Sequence, residues 1–180
     1  MALAETLPYG LRDVKVTPYT NSTTLGTSVD LPASRTFSFE EGEDFEELRG
    51  DDKLIAMRGN GASVSWELES GGISLEAYAV IAGGAITSSG TSPNEVKTYK
   101  KKVTDSRPEF KVEGQAMSES GGDFHVVLDR CKATENLTGE LADGSFWLTG
   151  ASGTAFPSRL SGNTDQVYRF IQNETATSIS

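Results

Sequence analysis

The chain has 180 residues, 36% of them hydrophobic and 8% aromatic, with a formal net charge of −10. That length suits one domain with a core of its own, and no run approaches the roughly 18 apolar residues of a membrane-spanning helix. The acidic balance argues against nonspecific binding to nucleic-acid phosphates, which needs Lys and Arg, and the single cysteine, Cys131, excludes an internal disulfide. Residues 1–8 lack the basic and apolar regions of an export signal, so a protein not secreted by that route is expected.

Residues 1–24 are mostly polar, with Pro8, Gly10 and Pro18, and read as an N-terminal arm. Residues 25–31 and 35–39 read as strands, the second placing Phe37 and Phe39 on one face. The next thirteen residues, EEGEDFEELRGDD, hold Glu40, Glu41, Glu43, Asp44, Glu46, Glu47, Asp51 and Asp52 against Arg49 alone. Most of the net charge is therefore concentrated in residues 40–52, which must face water, a counter-ion or a basic partner. A helix would stack Glu40, Asp44 and Glu47 as like charges, so an excursion between two strands is expected, pinned by Phe45 and Leu48. The run lacks the spaced Asp/Asn and central Gly of a calcium loop, and no metal site is expected there.

Residues 53–58 resume a strand, and Gly59-Asn60-Gly61 predicts a tight reversal. Ala62, Val64, Trp66 and Leu68 then alternate with Ser63, Ser65, Glu67 and Glu69, one face apolar and one polar. Residues 73–82 predict the one helix, with Ser74 as N-cap and Gly83-Gly84 as stop. Residues 95–103 form a lysine-rich strand in which Lys97, Lys100, Lys101 and Lys102 surround Tyr99. Lysines of this kind guard a sheet edge against unwanted pairing, and a basic edge could also meet the acidic excursion of another subunit. Residues 110–128 predict a hairpin through Gly121-Gly122, and Asp143-Gly144 turns residues 137–141 into 146–148. A last strand covers residues 167–171, and residues 173–180 read as a polar tail. The expected architecture is one mainly β domain. It is a β-sandwich or partly closed barrel with one packed helix and a long acidic hairpin excursion over residues 40–52.

Little in the chain suggests catalysis. His125 alternates with apolar neighbours and reads as a polar-face strand histidine, Cys131 as a small buried hydrophobe. Glu67 and Glu69, at i and i+2, would lie about 7 Å apart, a spacing shared by glycosidase pairs and ordinary solvated strands. There is no phosphate-cradling loop, HExxH or CxxC motif. No enzyme activity, metal or cofactor is expected.

VDLPASRTFSFEEGEDFEELRGDDKLIA (residues 29–56), the strand at 63–69 and GGISLEAYAVIAGG (residues 71–84) together resemble the major tail tube proteins of long-tailed, siphovirus-type bacteriophages. The resemblance is good over residues 11–84 and weaker beyond. It implies a virion protein forming rings of about six subunits joined through sheet edges. The rings stack into a tube through which double-stranded DNA passes without specific binding. The implied partners are copies of the same chain and other tail proteins (tape measure, terminator, distal tail), with no membrane. Assembly in the host bacterial cytoplasm and residence in the virion tail follow from the same resemblance. Residues 40–52 together with Lys97, Lys100, Lys101 and Lys102 are the expected inter-subunit contacts, and Glu67, Glu69 and Glu113 the candidate lumen-facing acids. The alternatives are a monomeric β-sandwich module binding carbohydrate, or another ring or decoration protein of an injection machine.

Overall fold

The computed structural model describes residues 5–179. In chain order the elements are β1 (Pro8–Asn21), β2 (Thr24–Leu25), β3 (Val29–Asp30), β4 (Ser34–Gly50), β5 (Lys53–Gly71) and α1 (Leu75–Ala82). They continue with β6 (Ala85–Ser89), β7 (Val96–Lys100), β8 (Phe110–Ser118), β9 (Asp123–Ala133), β10 (Thr138–Gly139), β11 (Leu148–Ala155) and β12 (Arg169–Asn173). Strands take up 57% of the described residues and helix 5%, so the fold is mainly β with one helix among them.

The principal sheet is antiparallel and runs β2-β1-β8-β9-β11-β5-β4, with β3 added to β1, β10 to β11 and β12 to β9. Strand β9 forks: residues 123–127 pair with β12 and residues 131–133 with β11. The root of β4 returns to lie beside β1 without pairing with it, and the Phe37 ring sits over Gly114 of β8. The sheet therefore curls around its core instead of lying flat. Val14, Val16, Val64, Trp66, Leu68, Phe110, Val112 and Leu128 fill that core, with Trp66 and Phe110 edge to face at 5.6 Å. Helix α1 adds Ala77, Val80 and Ile81 to it. Burying each Val or Leu side chain contributes roughly 1.5–3 kcal/mol, which is why the alternation in residues 62–69 is so strictly kept.

The helix forms where the sequence places it. Ser74 Oγ accepts from Ala77 N–H at 3.2 Å, and Gly83, at φ 78°, ends it. Several other expectations are corrected. Residues 8–21 of the expected arm are strand β1, with Val14 and Val16 fully buried; residues 1–4 lie outside the described residues. The inward pair was obscured by the polar Asp13, Lys15 and Thr17 on its other face. Residues 25–31 form two two-residue strands, not one.

Gly59-Asn60-Gly61 does not reverse the chain but lies within β5 as a register irregularity. The reversal is Asp51-Asp52, with φ angles of 50° and 60°, a two-residue turn that matches strand twist. A Cβ at Gly59 would meet the carboxylate of Glu43, the far end of an exposed side chain that can swing aside. The strand expected at residues 146–148 begins instead at Leu148, leaving Phe146 exposed.

Candidate assembly site

Strands β4 and β5 together make one long ribbon whose root belongs to the sheet and whose far part belongs to nothing else. Strand β5 pairs with β11 over residues 64–71, but among the described residues 43–62 have no strand neighbour besides each other. Eight residues of β4 beyond that point, at about 3.3 Å each, reach out about 26 Å. In that stretch every residue except Gly50 and Gly59 is exposed. An isolated two-stranded hairpin is marginally stable in water, so this ribbon lacks the support of a third strand.

Its surface is amphipathic on both sides. Phe45 faces Gly59 and Glu47 faces Met57, while Glu46 faces Arg58 and Leu48 faces Ala56. Because side chains alternate, Phe45 and Leu48 emerge on opposite faces. Phe45, Leu48, Leu54, Ile55 and Met57 are each about half exposed or more, Ile55 reaching 64%. The charge is more mixed than the linear run implies. Glu43, Asp44, Glu46, Glu47, Asp51 and Asp52 share the ribbon with Arg49, Lys53 and Arg58, and Arg49 Nε donates to Glu47 at 2.8 Å. In sequence the returning segment is plain strand, yet it supplies Leu54, Ile55 and Met57; alternation alone does not say whether a face is covered.

At the root, Glu41 accepts from the Tyr168 hydroxyl at 2.6 Å, and that bond raises the phenol pKa. Phe39 stacks on Tyr168 and Phe170 at 5.4 and 5.8 Å. Glu40 and Glu67 lie on the outer face of β4, β5 and β11, where Ser38, Ser65, Ser152 and Thr154 help line a shallow trough of about 390 Å³. Glu67 is exposed there, whereas Glu69 pairs with Arg35 at 3.3 Å. The two carboxylates share one sheet face and do not flank a cleft as a hydrolytic pair would.

The lysine-rich strand is largely occupied at home. Strand β7 pairs with β6 as a small separate sheet lying along α1. Lys97 meets Glu76 in the first helical turn at 2.7 Å, Tyr99 donates to Gly83 O at 2.5 Å, and Lys101 donates to Ala82 O. A carboxylate at the helix start and a cation at its end both complement the helix dipole. Lys100 and Lys102 are exposed and have no side-chain ion pair among the described residues.

Glu113 is corrected most firmly. At 6% exposed it cannot present charge to a channel, because it belongs to a buried layer of charge on the outer face of β1, β8, β9 and β12. Lys111 bridges it at 2.5 Å, and His125 Nδ1 donates to it at 2.9 Å. His125 Nε2 lies 3.1 Å from Asp123, so both ring nitrogens face carboxylate oxygens, an arrangement that favours the doubly protonated ring. Burial alone pushes His125 down, but the two acids outweigh it and raise the pKa. Burial likewise pushes Glu113 up, and the Lys111 and His125 bonds bring it below its ordinary value. Asp129, fully buried, takes a bidentate bond from Arg169 at 2.8 and 3.0 Å. Cys131 is buried in the core, and burial pushes its thiol well up.

Among the described residues no group of three or more His, Cys, Asp or Glu is arranged to hold a metal ion, and no helix is long and apolar enough to cross a membrane. Family models and curated proteins were compared with the chain, and none matches it.

Proposed function

We propose that this chain is a structural subunit that assembles with copies of itself into stacked rings, forming the tail tube through which a long-tailed bacteriophage delivers its DNA. The observation that carries this reading is the ribbon over residues 43–62. It leaves the domain as two unsupported strands and exposes five large apolar side chains among carboxylates. Such a surface is costly on an isolated molecule and useful on one that packs against a neighbour. Its apolar residues supply burial, while its acids keep free subunits apart until a partner surface with cations is met.

The outer face of β4, β5 and β11 suits the wall of such a conduit. Glu40, Glu67, serines and threonines offer hydroxyls and negative charge, which repel phosphates and let a duplex pass without retention. Lys100 and Lys102 are the cations of the basic stretch left to meet a neighbour's ribbon.

Negative-stain microscopy of the purified chain tests the reading: rings or tubes are expected, and a strict monomer at all concentrations and ionic strengths would overturn it. Replacing Glu43, Glu46 and Glu47 together by lysine is expected to stop assembly while leaving the circular dichroism spectrum unchanged. Tubes of normal length from that variant would remove the acidic ribbon from the contact.

A further inference from the structure

The polar tail expected over residues 173–180 is instead bound down as a strap across the buried charge layer (Ser180 lies outside the described residues). Asp123, itself without solvent contact, is the anchor. Its Oδ2 accepts from Thr177 N–H at 2.8 Å, from Gln115 Nε2 and from His125 Nε2, and its Oδ1 accepts from Asn173 Nδ2 at 2.8 Å. Two further bonds hold the strap from below: Gln115 Nε2 to Thr177 O at 2.9 Å, and Lys15 Nζ to Ile179 O at 2.7 Å. Residues 174–178 are otherwise exposed, and Ile179 alone among residues 174–179 is buried. Beside the strap an open trough of about 310 Å³ separates residues 176–178 from Arg12 and Asp13, so among the described residues outward movement meets no packed neighbour there.

Apart from the buried Ile179 side chain this fastening is polar, with a single titratable ring at its centre. We propose that residues 174–179 form a releasable strap whose latch is the His125 imidazolium between Glu113 and Asp123. With both ring protons in place, the imidazolium satisfies two buried carboxylates. Loss of one proton turns a ring nitrogen into a lone pair facing a carboxylate oxygen, either Asp123 at 3.1 Å or Glu113 at 2.9 Å. The buried negative charge then exceeds its cations, and the side open to water is the strap side. The other charged groups facing this layer are Asp13 and Lys15 on β1, Asp30 on β3, Lys111 on β8, Asp129 on β9 and Arg169 on β12. Of these, Asp30 also titrates abnormally, its carboxyl raised by burial and by its bond to Asp13. Release would free residues 174–179 and open Gln115, Asp123 and His125 to solvent or to another molecule. The inference stands independently of the tube reading.

Hydrogen exchange of the full chain, read at the Thr177 amide and corrected for intrinsic rate, tests the latch. Protection at pH 9 is expected to fall at least tenfold from its value at pH 6. In H125Q, which keeps a hydrogen-bonding side chain but cannot titrate, protection is expected to be the same at both pH values. In the native chain the midpoint of the fall is expected to coincide with the imidazole titration followed by NMR, a measurement that needs no variant. D30N is expected to retain the fall. No fall in the native chain, an equal fall in H125Q, a midpoint away from the imidazole titration, or loss of the fall in D30N would each overturn the proposal.

Discussion

Gly153 is the position where β11 changes neighbours, paired with Trp66 on β5 and with Ala133 on β9. A Cβ at this glycine would run into Lys132 O and lie 2.8 Å from Ala133 Cα, both backbone atoms that cannot swing aside. G153A is therefore expected to destabilise the fold by about 1–3 kcal/mol, as overpacking does elsewhere, and urea unfolding measures it. A midpoint within error of the native one would mean that the fork between β5 and β9 is looser than described. The buried charges obey the same close accounting. Asp129 is stable in the interior because Arg169 forks onto both its oxygens, and Asp123 because four donors converge on it. Burial pushes Asp123 up, yet bonds from Thr177, Asn173, Gln115 and His125 hold its pKa at about 2.

At the scale of elements, the ribbon and the helix show opposite fates for charged segments. The basic strand β7 is consumed locally, Lys97 and Lys101 serving the two ends of α1. The acidic strand β4 extends past its last sheet neighbour and remains uncovered. Local opening should therefore begin in the ribbon, where backbone hydrogen bonds are solvent-exposed and few apolar contacts oppose it. Brief trypsin digestion of the free subunit is expected to cut at Arg49, Lys53 and Arg58 before any site in the sheet, read by mass spectrometry of the fragments. In the assembly proposed above, these three sites are expected to become resistant. First cleavage elsewhere would show that the ribbon is not the least stable element.

For the whole molecule, the perturbed groups define a stability window. Glu113, Asp123 and Glu109 titrate below their ordinary values when folded, Glu109 chiefly through its bonds from Arg130. Their contribution is complete above the unfolded carboxylate range, near pH 4–4.5, and is lost as pH falls toward 2. His125 has the opposite sign: raised when folded, it contributes fully below about pH 6.5 and loses that contribution as pH rises through its folded value. Asp30, also raised, favours acid in the same sense. The melting temperature is expected to peak between about pH 4.5 and 6.5 and to be lower at both pH 3 and pH 9, measured by circular dichroism. A continued rise from pH 5.5 to 9 would contradict the protonated His125 cluster.

The strands at residues 62–69, the hairpin through Gly121-Gly122 and the capped helix were legible in the sequence, because alternation, glycine turns and an N-cap serine act over a few residues. The mainly β class followed from them. The acidic concentration at residues 40–52 was equally plain, as was its need for water or a partner. The tertiary structure alone decided which polar face is buried. In sequence His125 reads as a polar-face strand residue and Glu113 as a candidate lumen-facing acid, because the segment that covers their layer, residues 174–179, is distant along the chain. It also decided that residues 8–21 are a core strand, since Val14 and Val16 are recognisable as inward only once β8 lies alongside. The same reasoning applies to the acidic ribbon: local charge marked it, but its reach and its uncovered apolar faces depend on where β11 stops pairing. Charge density is a property of composition, and exposure is a property of neighbours.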